Sequence, residues 1–320
     1  MGGFLYSQFF VTPKYPGQSF AGQTVLVTGA NAGLGLEAAR HITRLGAARV
    51  ILGVRNVVAG EAAKEDIEKS TGRSGVCEVW KVDLASYEST LAFGDRIATL
   101  PKLDNAILNA AISTPEFSTA EGYEQTITIN VINSLLLGLL LLPTLKATRQ
   151  TDPSRTPRLT FIVSEVHAWV NFPEWIEDYP LQVVSDPSKA RMNERYPLSK
   201  LLEVLLVQEL ASRVRGSEVI INMVNPGLCH SQLTRNHESW TFAFIKMVLA
   251  RTTEVGSRTL VAGIAAGLES HGAYMTNGDV DNTMLSPFVR SDEGRQAREK
   301  VWGELSSILE GVRPGVMQGL

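Results

Sequence analysis

Short apolar runs rich in β-branched residues alternate along this chain with longer stretches whose apolar side chains recur every three or four positions. TVLVT (24–28), ARVILGV (48–54), VCEVWKV (76–82), LDNAILN (103–109), RLTFIVS (158–164) and EVIINMV (218–224) have the length and composition of buried strands, and a further strand is expected near Ala273–Met275. Between them, Leu34, Leu36, Ala38, Ala39, Ile42 and Leu45 follow helical spacing, and EAAKEDIEK (61–69) reads as a charged surface helix. Further helices are expected over 86–99, over a long span near 120–148, from YPLSK (196–200) onward, and within TEVGSRTLVAGIAAG (253–267). Near-continuous apolar strands alternating with helices imply βαβ crossovers and an α/β, doubly wound fold, with about seven mostly parallel strands covered on both faces.

No shift in composition marks a linker. The reading is a Pro/Gly-rich amino-terminal arm (1–20) and one domain (21–320). Two segments exceed ordinary loop length, 165–195 with Trp169, Phe172, Trp175 and Tyr179, and 228–252 with Trp240, Phe242 and Phe244. Lying after strands, such insertions either line a substrate pocket or act as structural covers. The run SLLLGLLLLP (134–143) is too short to span a bilayer and reads as a buried helix. MGGFLY lacks the Ser or Thr that a myristoylation signal needs at position six, where Tyr6 stands.

The 320 residues are 44% hydrophobic and 20% charged, enough for a sizeable core, and the net charge of −3 offers no basic field for nucleic acid. Cys77 and Cys229 provide neither a disulfide framework nor metal-ligand spacing, so a reducing, cytoplasmic setting fits and no metal is expected.

Candidate chemistry begins at Thr28-Gly29-Ala30-Asn31-Ala32-Gly33-Leu34-Gly35, which joins the first strand to the first helix. Glycines there let the backbone approach a diphosphate, and the helix amino terminus offers unpaired N–H groups; a plain tight turn is the bland alternative. The second strand ends at Val54-Arg55, with no acidic residue between Ala48 and Gly60. An acid there would suit the ribose hydroxyls of NAD, whereas Arg55 suits the extra phosphate of NADP(H).

TGANAGLG (28–35), VDL (82–84), LNAA (108–111), Asn130, Ser164, YPLSK and NPG (225–227) follow one another in an order that resembles the short-chain dehydrogenase/reductase family, a Rossmann fold. Within it, the TGAN opening, Arg55, Ser164-x-x-His167 and GAY…SP (272–287) resemble the retinol-dehydrogenase-like branch. The leader FLYSQFFVTPKYPGQSFAGQ is similar to reductases of fungal polyketide and hybrid peptide pathways. The resemblance implies that Gly29, Asn31, Gly33, Leu34 and Gly35 cradle the diphosphate, that Asp83 and Leu84 flank the adenine, and that Asn109, Ala110 and Ala111 line the central cofactor wall. Ala111 stands where the family usually has glycine. Pro226, Gly227, Leu228 and Ser231 would meet the nicotinamide end. The catalytic set it implies is Asn130, Ser164, Tyr196 and Lys200, with Asn133 competing for the first role and an insertion separating Ser164 from Tyr196. By the same analogy a homodimer would form through the two leucine-rich helices.

These residues suit carbonyl reduction of a small molecule. A phenol of ordinary pKa, about 10, is a reluctant proton donor at neutral pH, and a nearby ammonium and an oxidised nicotinamide ring would both favour its phenolate. Lys200 lies one helical turn from Tyr196, and Pro197 is expected in the first turn, where no intrahelical bond is lost. In the implied mechanism Tyr196 donates the proton, Ser164 holds the carbonyl oxygen, Lys200 binds the nicotinamide ribose, and Asn130 holds a water linking Lys200 to solvent. A non-redox dehydration, isomerisation or cyclisation on the same fold, alcohol oxidation in reverse, and a non-catalytic dinucleotide-binding scaffold are the competing readings. His167 reads as a packed residue, His230 and His237 show no metal spacing, and the leucines of both long helices read as core.

Overall fold

The computed structural model describes residues 7, 8, 10–230 and 250–320. Most strands form where continuous apolar runs leave no polar face to solvate: all five residues of β1 (Thr24–Thr28) and all four of β4 (Asn105–Leu108) are buried. With β2 (Arg49–Val54), β3 (Cys77–Lys81), β7 (Arg158–Ile162), β8 (Ile220–Asn225), β9 (Tyr274–Thr276) and β10 (Asp279–Val280) they build an eight-stranded sheet. Its order is β10-β9-β8-β7-β4-β1-β2-β3. Every pairing is parallel except β9 with β10, a two-residue edge strand following the left-handed turn at Asn277 and Gly278. That short strand is the eighth, beyond the seven expected, and is too brief to carry a periodic signal. β5 (Thr119–Ala120) and β6 (Tyr123–Glu124) form a separate hairpin.

Side chains alternate between two cores, one on each face of the sheet. Val25, Val27, Val50, Leu52 and Ile107 pack in one core with buried residues of α1 (Gly33–Arg44), α2 (Val57–Thr71) and α7 (Thr253–Gly263). Leu26, Ile51, Ala106, Phe161 and Met223 meet α3 (Tyr87–Ala98), α4 (Asn133–Thr151), α6 (Met192–Arg213) and α8 (Asp292–Val312) on the other. A one-turn helix, α5 (Pro180–Val184), lies in the 165–195 insertion, whose Phe172 is buried while Trp169 and Tyr179 are exposed. Of these aromatics, Phe172 serves as structural cover.

The expected long helix near 120–148 begins later: the hairpin occupies its first residues, followed by a turn at Gln125–Ile127 and a π-helical stretch at Thr128–Ile132 that runs into α4. Gln125–Thr151 is long and apolar enough to cross a membrane by composition, but 89% of its most apolar window is buried inside the protein. α6 also differs, starting at Met192, so that Pro197 lies inside the helix rather than in its first turn. Leu198, Leu201, Leu202, Leu205, Leu206 and Leu210 of α6 are all buried. Each contributes on the order of 2 kcal/mol by leaving water. The carboxy-terminal α8 packs against α6, so much of the face expected to meet a second copy is covered within the chain.

The arm is not detached. Residues 11–20 lie across α1 and α7, where Tyr15 is flanked by the guanidinium groups of Arg44 and Arg258, and Phe20 is buried. Arg44 donates to the Pro16 carbonyl and Arg258 to that of Pro13.

Candidate functional site

From β1 the strands are added outward through β2 and β3 on one side and through β4, β7, β8 and β9 on the other, so the order of strand addition reverses between the parallel neighbours β1 and β4. Ligands of open parallel sheets bind outside the carboxyl ends of strands at such a point. The segments following β1, β4, β7 and β8 carry the glycine turn, Asn109, Ser164 and Pro226 respectively.

The turn after β1 needs its glycines for two reasons. Gly29 and Gly33 have positive φ (67° and 60°), a region that costs other residues energy. A Cβ on Gly35 would lie 2.5 Å from the Gly29 carbonyl oxygen. Asn109 ties the turn to β4: its Nδ2 donates to the Thr28 carbonyl at 2.9 Å, and its backbone N–H donates to Thr28 Oγ1 at 2.9 Å. The Ala110 N–H reaches the same hydroxyl at 3.1 Å. α1 starts at Gly33 from Ala32, which provides no side-chain cap, leaving its amino-terminal N–H groups available to an anion.

At the end of β2, Arg55 is exposed and has no hydrogen bond or ion pair to another described residue. Asp83 accepts from the Ala85 N–H at 3.0 Å, and the Leu84 carbonyl accepts from Asn133 Nδ2 at 2.8 Å. Asn133 thus props the Asp83–Leu84 loop, which separates it from the role weighed for Asn130. Ala111 is partly buried beside Ile112. After β8, Gly227 takes a φ of 76° and its N–H donates to Asn225 Oδ1 at 3.0 Å. The Leu228 carbonyl accepts from Gln8 Nε2 of the arm at 3.0 Å. Ser231, His237 and the aromatics Trp240, Phe242 and Phe244 lie outside the described residues.

The four polar residues expected to act together come from three elements. The π-helical stretch inserts an extra residue per turn and carries Asn130, which is fully buried. Asn130 Oδ1 accepts from the Ile112 N–H at 2.9 Å, and its Nδ2 donates to the Ile112 carbonyl at 2.9 Å and to Ser199 Oγ at 3.0 Å. Ser199 in turn donates to the Tyr196 carbonyl at 2.8 Å. Ser164 caps the 3₁₀ turn Glu165–Trp169, and its hydroxyl lies near enough to the Tyr196 phenol to pull its pKa down. The Lys200 ammonium lies 5.8 Å from the Tyr196 ring centre and donates to the Ile162 carbonyl at 2.9 Å. It also pairs with Glu203 at 2.6 Å. Asn130 and Lys200 do not touch; the polar contacts of each go elsewhere.

Electrostatics at this cluster are set first by burial. Burial raises the Tyr196 phenol above its ordinary pKa; Lys200 and the Ser164 hydroxyl pull down, while Glu203 and Glu165 push up, and the net is upward. The phenol is therefore protonated at neutral pH, and the lowering expected from Lys200 alone is outweighed. Glu165, next to Ser164, is pushed up to about 7 by burial, with Arg251 opposing. His167 is fully buried: its Nδ1 bonds the Ser164 carbonyl at 2.8 Å, and its Nε2 accepts from the Ser286 N–H at 3.2 Å. Accepting at Nε2 and donating at Nδ1 require the neutral imidazole, and burial lowers its pKa accordingly. The packed-residue reading of His167 therefore acquires a purpose, fixing the backbone of Ser164 against the Ser286 loop.

Several residues here escaped sequence reasoning. Glu203 and Glu165 are acids inside apolar or strand-end contexts, and that incongruity was the available signal. Arg251 donates to the carbonyls of Ser7 (2.7 Å), Val11 (2.9 Å) and Pro226 (3.4 Å), tying the arm to the Pro226–Leu228 loop. Nothing local in its sequence announces that.

The family model described as short chain dehydrogenase matches residues 23–152. Among curated proteins, a short-chain dehydrogenase of Penicillium roqueforti is 46% identical over 322 residues, covering 98% of this chain and 84% of that protein. A short chain dehydrogenase/reductase of Cryptosporiopsis is 45% identical, covering 98% of both. Among solved structures, a Mycobacterium paratuberculosis protein superposes with a TM-score of 0.68 at 25% identity, covering 92% of this chain and 95% of that one. An NADPH-bound carbonyl reductase from chicken fatty liver gives 0.60 at 20% identity, covering 82% and 99%.

Proposed function

Given that the chain belongs to the short-chain dehydrogenase/reductase family of nicotinamide-dependent oxidoreductases, we propose that it is an NADP(H)-dependent reductase acting on a ketone or aldehyde of a bulky, apolar small molecule. The observation that carries this reading is the Tyr196 phenol, protonated, near the Ser164 hydroxyl and one turn from a buried Lys200 ammonium. A non-catalytic scaffold has no need of that arrangement.

The residues present fit a dinucleotide. The uncapped start of α1 and the close glycine turn at Gly29, Asn31, Gly33, Leu34 and Gly35 suit a diphosphate. Arg55, exposed at the end of β2 and without a partner among the described residues, suits a 2′-phosphate. Asp83 and Leu84 would flank the adenine, Asn109, Ala110 and Ala111 the middle of the cofactor, and Pro226, Gly227, Leu228 and Ser231 the nicotinamide end. Bound NADPH supplies the hydride.

The chain's own groups handle the proton and the placement. Ser164 donates to the substrate carbonyl oxygen and holds it beside Tyr196. Tyr196 gives its phenolic proton to that oxygen as negative charge develops there. The Lys200 ammonium stabilises the phenolate left behind and offers a donor to the nicotinamide ribose. Asn130, buried and bonded to Ile112 and Ser199, holds the turn of α6 that carries both residues.

Preference for NADP(H) in a reducing cytoplasm favours reduction over oxidation. The chain is similar to fungal short-chain dehydrogenases, and the resemblance of its leader supports a fungal polyketide or hybrid polyketide–peptide intermediate as substrate. The test incubates the purified protein and NADPH with extracts of the source organism, and mass spectrometry seeks products heavier by two hydrogens. Tyr196→Phe should lower their formation by about 10²–10⁴-fold, the usual contribution of a positioned proton donor. Turnover without NADPH oxidation, indifferent to Tyr196→Phe, would select the dehydration, isomerisation or cyclisation reading instead. Failure to bind NADPH, or to consume it with any carbonyl, ends the proposal.

A further inference from the structure

The apolar heart of α6 contains one acid without an obvious purpose. Tyr196, Lys200 and Glu203 stand at successive turns on one face of the helix. The side chains of Lys200 and Glu203 are each 3% exposed, and Glu203 Oε2 lies 2.6 Å from Lys200 Nζ. Among the described residues, Lys200 is the sole hydrogen-bond or ion-pair partner of the Glu203 carboxylate. An ammonium has three donors. One goes to the Ile162 carbonyl at 2.9 Å, and the Glu203 carboxylate stands beside the same head group as its ion-pair partner. Held between a carbonyl and a carboxylate, the Lys200 head group is restricted in the directions left to its remaining donors.

We infer that Glu203 is a positioning residue for Lys200: its carboxylate keeps the ammonium charged in a buried setting and aims its remaining donors at the cofactor. This deepens the proposed reductase reading and rests on it. An ordinary apolar residue at position 203 would have completed the helix's buried face at lower cost, since a buried carboxylate is tolerated only when paired.

The surrounding charges are few. The 3₁₀ turn after β7 brings Glu165, whose charge acts on Tyr196. The π-helical stretch (TINVI), the turn Gln125–Ile127 and β8 bring no ionisable side chain. Glu124, ahead of that turn, lies 3.5 Å from Arg195, and Arg298 of α8 pairs at 3.1 Å with Glu209 further along α6. Glu203 is thus the one acid paired with Lys200 among the described residues. Burial by itself pulls Lys200 down, but Glu203 and Tyr196 outweigh it and hold the ammonium above the ordinary lysine range. Burial pushes Glu203 up to about 7 against the pull of Lys200, so above neutral pH the pair is carboxylate and ammonium.

The experiment measures NADPH affinity by cofactor fluorescence from about pH 7.5 to about 9.5, where the cofactor's own phosphates do not titrate. Wild type should bind with constant affinity, because Lys200 stays charged throughout. Glu203→Gln and Glu203→Met remove the counter-charge, and burial then lets Lys200 lose its proton inside this window. Affinity should weaken about tenfold or more from the low to the high end, since each unit beyond a pKa costs a factor of ten. Glu203→Asp keeps the charge and should restore the flat profile even where overall affinity falls. A variant weaker by the same factor at every pH, or a wild type that itself weakens across the window, overturns the assignment and leaves Glu203 a structural acid. Lys200→Ala separates the two levels of the argument. If it binds NADPH and turns over like wild type, the reductase reading of the site fails. If it loses affinity while Glu203→Gln keeps the wild-type profile, only the role of Glu203 fails.

Discussion

Asn130 Nδ2 donates to Ser199 Oγ at 3.0 Å, and both residues are fully buried. The bond joins the π-helical stretch before α4 to the very turn of α6 that lies between Tyr196 and Lys200. Ser199 also donates to the Tyr196 carbonyl at 2.8 Å, so one hydroxyl holds the turn from within and anchors it from outside.

Ser199→Ala should therefore act on both stability and rate. Removing the hydroxyl leaves one donor of a buried amide without its partner, a loss of about 1–2 kcal/mol. In a chain of this size that corresponds to about 1.5–3 °C in Tm. Thermal unfolding and kcat should fall together, and Asn130→Ala should cost at least as much. Because the two groups share one bond, the double variant should be less damaging than the sum of the singles. Strict additivity in the cycle would show that the bond carries no energy.

Two glycines of the turn after β1 make a paired prediction. Gly33 has a positive φ of 60° but open space where a Cβ would stand. Gly35 has an ordinary φ, yet its Cβ would meet the Gly29 carbonyl oxygen at 2.5 Å, a backbone atom that cannot swing aside. Gly33→Ala should cost about 1–2 kcal/mol, the penalty of the left-handed region. Gly35→Ala should cost about 1–3 kcal/mol, as overpacking does, and should also deform the turn. NADPH affinity should consequently fall much more in Gly35→Ala than in Gly33→Ala. The reverse order, measured by fluorescence titration, would show that the turn tolerates displacement.

Arg55 is exposed and has no described partner to compensate when it is removed, so Arg55→Ala should leave unfolding midpoints unchanged. A lost charge-assisted contact to a 2′-phosphate amounts to about 1.5–3 kcal/mol, or roughly 10- to 150-fold in affinity. NADPH binding should weaken by that factor while NADH binding stays the same. Equal loss for both cofactors would argue that Arg55 does not read the phosphate.

What the sequence made legible follows periodicity and position. The strands were readable because buried parallel strands leave continuous apolar runs, as in β1 and β2. The glycine turn, Asn109 and Ser164 could be placed because each sits next to such a run, whereas Tyr196 was reached through the family resemblance of YPLSK at the head of an apolar helix. α8 was missed, although Ala297, Val301, Leu305 and Leu309 recur at four-residue spacing behind the Ser291 cap, because charged residues dominate its composition. The start of α6 was misjudged for a related reason: Met192 to Arg195 carry no apolar stripe, and Pro197 suggested a helix start that the extra turn displaces. The π-helical stretch left no trace, since it changes the count of residues per turn without changing their kind. Contacts such as Arg251 with Ser7, or Lys200 with Glu203, are invisible for different reasons. The Arg251 contact depends on where a distant arm returns. The Lys200–Glu203 pair has the spacing of any exposed helical ion pair, and only its burial sets it apart.

Glu165 supplies a test in which the sign of a pH effect is decisive. Burial raises its carboxyl to about 7, against an ordinary value of about 4.3 in the unfolded chain. Between those values the folded protein holds a proton that the unfolded chain has lost. Stability therefore falls as pH rises through that window, and levels off once the carboxyl has ionised in both states. The full span amounts to about 3 kcal/mol, an upper figure because part of the side chain meets solvent. Glu165→Gln cannot ionise, and so should match wild type near pH 4.5 and exceed it above pH 7 by up to that amount, seen as a later urea midpoint at unchanged slope. The same substitution removes a negative charge that raises Tyr196, so the phenol should titrate at lower pH. In carbonyl reduction, which needs the protonated phenol, the alkaline fall in kcat should then begin earlier. A variant with the stability gain but an unmoved alkaline limb would place Glu165 too far from Tyr196 to act on it. A variant with neither would mean that the carboxyl is solvated and of ordinary acidity.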